Sequence, residues 1–189
     1  MKIKMELLSD TIFGNGMSIP GAEDTSVLHD EYGFPYYKGS TFKGVLREQY
    51  ARYLEWEGCS EKQIHDEISQ LFGESGVDID NGKLTFSDFV LSPFVRKTVY
   101  DEIGDDADKI LSVLSNVRSF TSINEKGVAK QGSLRMARCV NKGLIFYSEI
   151  LNDKEIESLD EIVCSIKWIG SMRNRGFGKV KFTVLEDES

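Results

Sequence analysis

An α+β fold is predicted by three features of the 189-residue chain. Apolar and polar residues alternate near both ends, which is typical of half-buried strands. Between the ends lie segments in which apolar residues recur at helical spacing, and glycine-rich stretches separate these segments. With 40% hydrophobic residues the chain can bury a full core, so we expect a single domain over residues 1–189.

The first strand is predicted at the N-terminus, where Ile3, Met5 and Leu7 alternate with polar residues. A long irregular segment from Asp10 to Lys38 follows, with four glycines and two prolines. Loops of this length inside a compact domain usually carry function. We therefore expect chemistry in this N-terminal loop.

Two helices are predicted next. The first runs from about 41 to 57 with Ser40 as its N-cap, because side chains between Val45 and Leu54 recur at helical spacing. The second opens with a capping box, Ser60 to Gln63, and ends at Gly73. Its acidic surroundings, at about 58–80, indicate a helical insertion.

The second half of the chain is predicted to hold four strands and two helices. We expect strands at about 83–92, 134–140, 143–151 and 180–184, a short helix from Ile110 to Leu114, and a helix from an Asp153 N-cap to Gly170. The turn at 141–143 is expected to join the middle two strands as a hairpin. Without insertions, this βαββαβ order is that of a ferredoxin-like, RRM-like core.

The chain is acidic overall but basic in two places. Its 23 Lys and Arg residues against 31 Asp and Glu give a net charge of −8. Ten of the 23 bases lie in two segments without acids, 126–142 and 167–181. A solvated face would explain one such run. Two runs that also carry glycines favour a cationic track for an anionic polymer on an acidic body.

Several classes of protein find no support in the sequence. The three cysteines are scattered and lack CxxC spacing, which argues against a disulfide framework or a cysteine zinc site. The absence of HExxH and GxSxG motifs argues against conventional zinc and serine hydrolases. The chain shows no signal-peptide core and no apolar run long enough to span a membrane, so we expect a cytoplasmic protein.

The segment GSTFKGVLR, residues 39–47, has the features of a phosphate-binding helix start. Gly39 and Ser40 open the predicted helix, where free backbone N–H groups and the helix dipole favour anions. Lys43 and Arg47 are four residues apart and share one helix face. The alternative is an ordinary capped helix with solvated cations.

The segment GSMRNRGFG, residues 170–178, is a second candidate. Its glycines, including Gly176, allow close approach of a ligand to the backbone, and Arg173 and Arg175 offer planar forks for phosphate oxygens. The alternative is a plain helix C-cap and turn. Together the two motifs predict one groove for a ribose-phosphate strand.

Acid and base side chains cluster in the N-terminal loop. They are Glu23, Asp24, His29, Asp30 and Glu31. Carboxylates near bound phosphates can hold a divalent metal or move a proton, and histidine can act as a general acid or base. The alternative is a set of solvated loop residues.

Taken in order, these segments resemble the RAMP superfamily of CRISPR-associated proteins, most closely the repeated backbone subunit of type III effector complexes. The resemblance spans nearly the whole chain. It rests on DTSVLHDEYGFPYYKGSTFKGVLR at 24–47, LFG at 71–73, GKLTFSDF at 82–89, VRSFTSINEKGVAKQGSLR at 117–135 and IGSMRNRGFGKV at 169–180.

The resemblance implies that copies or paralogues of the chain stack along a CRISPR guide RNA and pair it with target RNA, beside other Cas effector subunits. Lys43 and Arg47 match the family's guide-contacting helix start. Asp24 matches the loop aspartate that supports metal-dependent cleavage of the target, with Mg²⁺ or Mn²⁺ as the expected cofactor. The expected RNA-binding residues are Gly39, Ser40, Lys43, Arg47, Arg173, Arg175 and Gly176, and the expected catalytic and metal-binding residue is Asp24.

Three other functions stay open at the level of sequence. The first is a structural subunit that organises RNA without cutting it. The second is a RAMP-type endoribonuclease that processes guide RNA without metal, through His29. The third is an acidic protein-interaction domain with the same fold and no nucleic-acid role.

Overall fold

The computed structural model describes residues 1–14, 24–73, 84–122, 124–151, 156 and 158–185. This part of the chain forms seven strands and five α-helices. They are β1 (Lys2–Leu7), α1 (Gly39–Trp56), α2 (Glu61–Phe72), β2 (Thr85–Phe86), β3 (Val90–Leu91), α3 (Pro93–Ile103), α4 (Ala107–Leu114), β4 (Ser115–Phe120), β5 (Arg135–Val140), β6 (Ile145–Leu151), α5 (Leu159–Ser165) and β7 (Val180–Leu185). A 3₁₀ turn, Arg173–Arg175, lies between α5 and β7. None of the helices described is both long and apolar enough to cross a lipid bilayer.

The main sheet is antiparallel and has the strand order β2–β6–β1–β7, with β3 also paired to β6. Met5 in β1 lies opposite Phe146 of β6 and Phe182 of β7. When β2 and β3 are counted as one interrupted strand, the order is second, third, first, fourth. This is the order of a ferredoxin-like core, so the predicted fold class is confirmed.

The core lies between this sheet and the helices. The alternation in β1 buries Ile3, Met5 and Leu7 completely. Helix α1 buries Phe42, whose ring packs edge-on against Phe89 and at a tilt against Phe182 of β7. Helix α5 packs against β7 and α1. The helix that carries the first motif is thereby fixed on the sheet by aromatic packing.

Strands β4 and β5 form a separate two-stranded antiparallel sheet. The predicted hairpin between 134–140 and 143–151 is wrong, because β5 pairs with β4 whereas β6 pairs with β1. The end of β1 holds the intervening turn, since the Leu7 carbonyl accepts from Gly143 N and Asp10 Oδ1 accepts from Lys142 N. The regular alternation of β1 offers β6 a matched buried face, which the imperfect alternation of 134–140 does not.

Sequence patterns do not predict α3 or β4. Helix α3 has no buried residue and so lacks an apolar stripe; its signals are the Ser92 cap, which accepts from Val95 N, and Pro93 in the first turn. Strand β4 buries only Ser115 and therefore shows no alternation. Strand β4 is defined by its pairing with β5.

Helix α1 begins at Gly39 with Lys38 as its N-cap, so the prediction of Ser40 as the N-cap is wrong. The first amide is capped from elsewhere in the chain, because Gly39 N donates to Asp88 Oδ1 at 2.8 Å. Gly39 also packs against the segment before β3, where a Cβ would lie 2.5 Å from the Ser87 carbonyl oxygen. Glycine at this position thus has a packing role.

Helix α2 follows the prediction, with a capping box of Ser60 and Gln63 and a C-cap at Gly73. Helix α5 is shorter than predicted, since Ile166 and Ile169 are buried but lie beyond its end. The expected Asp153 N-cap and residues 74–80 of the expected insertion lie outside the described residues.

Candidate nucleic-acid interface

The glycine-rich loop, residues 170–178, joins α5 to β7. Gly178 has φ +79°, and a Cβ there would lie 1.9 Å from the Ile169 carbonyl oxygen. Gly178 N donates to the Asp10 carbonyl at 3.0 Å, and Ser171 N donates to the Ile12 carbonyl at 3.3 Å. These hydrogen bonds fix the loop to the segment after β1. Position 178 requires glycine, because the backbone there is left-handed and passes too close to the Ile169 carbonyl for a side chain.

A groove of about 280 Å³, which we call the α1 groove, separates the glycine-rich loop from the first turns of α1. Helix α1 contributes Thr41 and Val45 to its walls, and the loop contributes Gly170, Ser171 and Arg173. The structure thus brings together the two glycine-containing motifs, which are well over 100 positions apart in the sequence.

Lys43 and Arg47 lie on another face of α1. Two residues along an α-helix correspond to about 200° of rotation, so these cations point about 160° away from Thr41 and Val45. Both are half-buried, and neither lines the α1 groove. The backbone of the helix start meets the glycine-rich loop, whereas the two cations of the first motif face elsewhere.

The anion position at the start of α1 is already occupied. The Asp88 carboxylate accepts from Gly39 N, so this amide is not free for a phosphate. Gly39 itself is buried, whereas Ser40 is exposed. RNA contact by Gly39 and Ser40 stays a prediction.

Tyr37 lines the α1 groove beside Arg173. Its side chain is buried, and its hydroxyl has no hydrogen-bond partner within the described residues. Burial raises the pKa of Tyr37 to about 12, against the opposing effect of the Arg173 charge. The hydroxyl therefore stays protonated over the physiological range.

A second groove, of about 380 Å³, adjoins the loop at Arg175, Gly176 and Phe177. We call it the β4 groove, because β4 supplies Arg118 and Phe120 to its wall. Lys142, from the turn after β5, also lines it. The two acid-free segments of the sequence meet here, since one contributes Lys142 and the other Arg175.

Asp10 is the acid of the β4 groove. Its Oδ2 accepts from Arg118 Nη2 at 2.7 Å and from Asn116 Nδ2 at 3.3 Å, and its Oδ1 accepts from Lys142 N at 3.1 Å. Burial alone would raise the pKa of Asp10, but the hydrogen bonds from Arg118, Lys142 and Asn116 outweigh burial and lower it. Donors of the chain itself therefore compensate the negative charge of Asp10, and the groove remains cationic.

Asp24 lies beside β5. Its backbone N donates to the Met136 carbonyl at 2.8 Å, and its Oδ2 accepts from Met136 N at 2.7 Å. Its Oδ1 is 3.9 Å from Arg135 Nε, and the Asp24 side chain is 48% exposed. Asp24 thus has one carboxylate oxygen in a backbone hydrogen bond and one directed towards solvent and Arg135.

The residue after Asp24 packs near the segment that the glycine-rich loop contacts. A Cβ on Gly14 would lie 3.7 Å from Cγ2 of Thr25 and 3.9 Å from Oγ of Ser171. Thr25 directly follows Asp24, and Ser171 belongs to the loop. Thr25, which follows the expected catalytic aspartate, and Ser171 of the glycine-rich loop therefore both flank Gly14.

The fit of a divalent metal depends on this single carboxylate. Within the described ranges, no three His, Cys, Asp or Glu side chains gather closely enough to hold a metal ion. Mg²⁺ is commonly bound by one or two carboxylates together with water and substrate phosphates. Oδ1 of Asp24 fits an ion of that kind, whose other ligands come from RNA and water. Glu23 lies outside the described residues.

Asp30, another acid of the N-terminal loop, has structural partners. The Asp30 carboxylate accepts from Tyr32 N and Phe34 N, and it pairs with Arg96 of α3 at 2.7 Å. His29 is exposed, and its Nδ1 lies 2.9 Å from the Asp30 carbonyl oxygen. Asp30 therefore builds a turn, and α3 holds that turn in place.

Acidic side chains line a cleft of about 700 Å³ between α1 and α2, away from the cationic grooves. Glu57, Asp66 and Glu67 line it. Tyr50 Oη donates to Glu67 Oε1 at 2.6 Å, and burial together with Glu67 raises the pKa of Tyr50. This acidic cleft repels phosphate, so the cationic and acidic surfaces of the chain are separated as the sequence predicts.

A sequence profile of the RAMP superfamily matches residues 4–181. The chain therefore belongs to the RAMP superfamily, and the resemblance seen in its motifs is confirmed. Comparison with curated protein sequences gives no significant match.

Two solved structures share the fold. One is a chain of the cryo-EM structure of the type III-B Cmr-beta bound to cognate target RNA, with 14% identity, a TM-score of 0.66, and coverage of 96% of this chain and 95% of that chain. The other is a chain of the type III-B Cmr-beta in its apo state, with 15% identity, a TM-score of 0.67, and coverage of 98% and 97%. The likeness extends over almost the full length of both chains.

Sequence reasoning missed three residues of the interface. Asp10 and Arg118 lie outside the acid-free segments, and their pairing is visible only in three dimensions. Tyr37 gives no sequence signal, because a tyrosine before a helix is as easily a core residue. The available signal for Arg118 was its place in VRSF, at the head of a segment that the RAMP resemblance had singled out.

Proposed function

We propose that this chain is a guide-RNA-binding backbone subunit of a cytoplasmic type III CRISPR interference complex, and that it cleaves bound target RNA through Asp24 and a divalent metal. The observation that carries the RNA-binding part is the position of the glycine-rich loop. Arg173 lines the groove on its α1 side, and Arg175 lines the β4 groove. A ribose-phosphate strand that crosses the loop would meet both arginines.

The chemistry of the loop suits phosphates of any sequence. Arg173 and Arg175 are exposed, and neither is in a salt bridge within the described part of the chain. Gly176 has φ +86° and open space where a Cβ would stand, so a strand can approach the backbone closely. Phosphate contacts position RNA without reading its bases, which is what a subunit bound to variable guides requires.

Lys43 and Arg47 extend the proposed contact surface around α1. They are half-buried on the face of α1 that points away from the α1 groove. In this proposal they bind phosphates further along the same strand, and Gly39 and Ser40 shape the helix start between the two regions.

Asp24 is the proposed metal-binding and catalytic residue. When bound, a divalent ion supplies charge stabilisation at the scissile phosphate. The chain holds Asp24 by the backbone hydrogen bonds to Met136 and leaves Oδ1 without a hydrogen bond within the described residues, 3.9 Å from Arg135 Nε. The carboxylate is thereby oriented before RNA arrives.

RNA binding is tested with a charge-matched pair of variants. The test variant changes Lys43, Arg47, Arg173 and Arg175 to alanine. The control variant also changes four cations to alanine, each exposed on a different helix from α1 to α4: Arg52, Lys62, Lys97 and Lys109. Four lost phosphate contacts reduce the slope of log affinity against log salt by about 3 for single strands. Equal affinities for the two variants would remove the proposed interface.

Cleavage is tested with Asp24→Asn in the assembled complex. Asparagine retains an oxygen that accepts from Met136 N, so the variant removes the charge and keeps the backbone contact. Target cleavage should fall to background while RNA binding stays intact. Glu31→Gln, in the same loop, is the matched control and should cut normally. Full cleavage by Asp24→Asn would reject the catalytic assignment.

A structural RNA-organising subunit is the second candidate. The absence of a metal-ligand cluster among the described residues favours it, because a single carboxylate is a minimal metal site. This function predicts that Asp24→Asn and wild-type complexes are equally inactive as nucleases and bind RNA equally well.

A further inference from the structure

We infer that the β4 groove is a second binding site for RNA backbone phosphates, in which Arg118 and Lys142 act together with Arg175. The inference rests on the proposed RNA-binding function. It adds two residues, Arg118 and Lys142, that belong to neither glycine-containing motif.

The charge of the groove favours an anion. Arg118, Lys142 and Arg175 line it together with one acid, Asp10. Asp10 engages only part of Arg118, since the guanidinium Nε and Nη2 both donate to the same Oδ2. A guanidinium has five N–H groups, so about three remain for a ligand. The Arg118 side chain is 56% exposed, which leaves these groups accessible.

Lys142 contributes a side chain that pairs with no acid among the described residues. Its backbone N–H donates to Asp10, whereas its ammonium is in no salt bridge with an acid of the described part of the chain. The residue is exposed. Its side chain can therefore bind a phosphate while its backbone stays anchored.

Asp10 anchors the three segments that carry the cations. It accepts from Arg118 of β4 and from the Lys142 amide, and its carbonyl accepts from Gly178 N at the end of the glycine-rich loop. One residue thus joins the three segments that supply the donors. Backbone that is anchored before binding, together with the held Arg118 side chain, reduces the conformational entropy lost when the ligand arrives.

The groove suits a phosphate better than a stacked base. Phe120 is the aromatic residue of β4 here, but the Arg175 guanidinium lies 5.8 Å from its ring centre, and the Phe177 ring packs edge-on at 5.5 Å. The ring is therefore partly occupied by these two neighbours. The volume of about 380 Å³ equals about thirteen liquid waters, which accommodates a phosphate and its ribose.

The test uses the full chain with a labelled oligouridine, and it compares Lys142→Ala with Lys62→Ala on the acidic insertion. Loss of one phosphate contact should weaken binding about fourfold at 0.15 M salt and reduce the salt slope by about 0.7. Lys142→Arg should restore both values, since it returns the charge. Lys62→Ala should match the wild type.

Two RNA arms show which strand supplies the phosphate. One arm uses the single-stranded RNA, and the other uses the same RNA paired with a complementary strand. A Lys142→Ala defect that is already seen with the single-stranded RNA assigns the phosphate to that strand. A defect that is seen only with the duplex assigns the phosphate to the complementary strand. If Lys142→Ala equals Lys62→Ala in both arms while the four-residue interface variant still loses RNA, the second site is refuted and the proposed function stands. If neither variant loses RNA, both proposals fail.

Discussion

The geometry of the glycine-rich loop makes a quantitative prediction about Gly178→Ala. Gly178 and Gly176 have similar left-handed φ values, +79° and +86°. A side chain in this region costs about 1–2 kcal/mol at either position. The two sites differ in space, because a Cβ at 178 would lie 1.9 Å from the Ile169 carbonyl oxygen, whereas at 176 nothing lies within 4 Å.

The collision at position 178 must displace backbone. Three backbone hydrogen bonds lie at this point: Gly178 N to Asp10, Ile169 N to Gly178, and Val180 N to Lys167. At about 1 kcal/mol each, their loss adds about 3 kcal/mol to the backbone penalty. We expect Gly178→Ala to destabilise the chain by about 4–5 kcal/mol and Gly176→Ala by about 1–2 kcal/mol.

Urea unfolding of both variants measures this difference. Trp168 is a suitable reporter, because it forms an isolated bridge with Lys179 next to the loop. The midpoint of Gly178→Ala should fall far below that of Gly176→Ala at an unchanged slope. Equal stabilities of the two alanine variants would show that the loop does not close on Ile169 as described. The position of Arg173 and Arg175 in the two grooves would then be wrong as well.

Two further predictions concern buried polar groups at the interface. Tyr37→Phe removes a hydroxyl that lacks a partner within the described residues. In urea unfolding the variant should therefore be as stable as the wild type or up to about 1 kcal/mol more stable. A marked loss of stability would show that the hydroxyl has a partner. Asp10 has a lowered pKa, so its contacts stabilise the fold above the ordinary aspartate pKa of about 4 and are lost as the pH falls through and below that value. The stability gap between wild type and Asp10→Asn should therefore be about 1–2 kcal/mol at pH 7 and should shrink towards pH 3, whereas a constant gap would contradict the charged contact with Arg118.

Local patterns predict the elements whose causes are local. The alternation of Ile3, Met5 and Leu7 defines β1, and the side chains of Ser60 and Gln63 define the start of α2. The start of α1 is different, because the carboxylate that accepts from its first amide belongs to Asp88, which lies 49 positions from Gly39. The local rule that serine caps a helix therefore placed the cap at Ser40 and erred.

Strand pairing could not be read from neighbouring positions. The turn at 141–143 exists, but Asp10 and Leu7 hold it, and the strands on its two sides pair with different partners. A turn motif specifies a change of direction, whereas the pairing partner is decided by burial across the whole sheet.

The candidate site also has some features that local sequence predicts and others that tertiary packing decides. Glycine and arginine chemistry predicts the loop with Arg173 and Arg175, because the residue types themselves carry the information. The orientation of Lys43 and Arg47 depends on which face of α1 the core takes, and the β4 groove depends on Asp10 and Lys142, which are 132 positions apart. These features follow from tertiary packing, so sequence patterns cannot supply them.

The central claim is that an RNA strand crosses the glycine-rich loop. Photo-crosslinking of bound 4-thiouridine RNA, followed by mass spectrometry of the crosslinked peptides, tests it most directly. We expect crosslinks in residues 170–178 and in the turn that contains Lys142. Crosslinks confined to the acidic helix Glu61–Phe72 would contradict it.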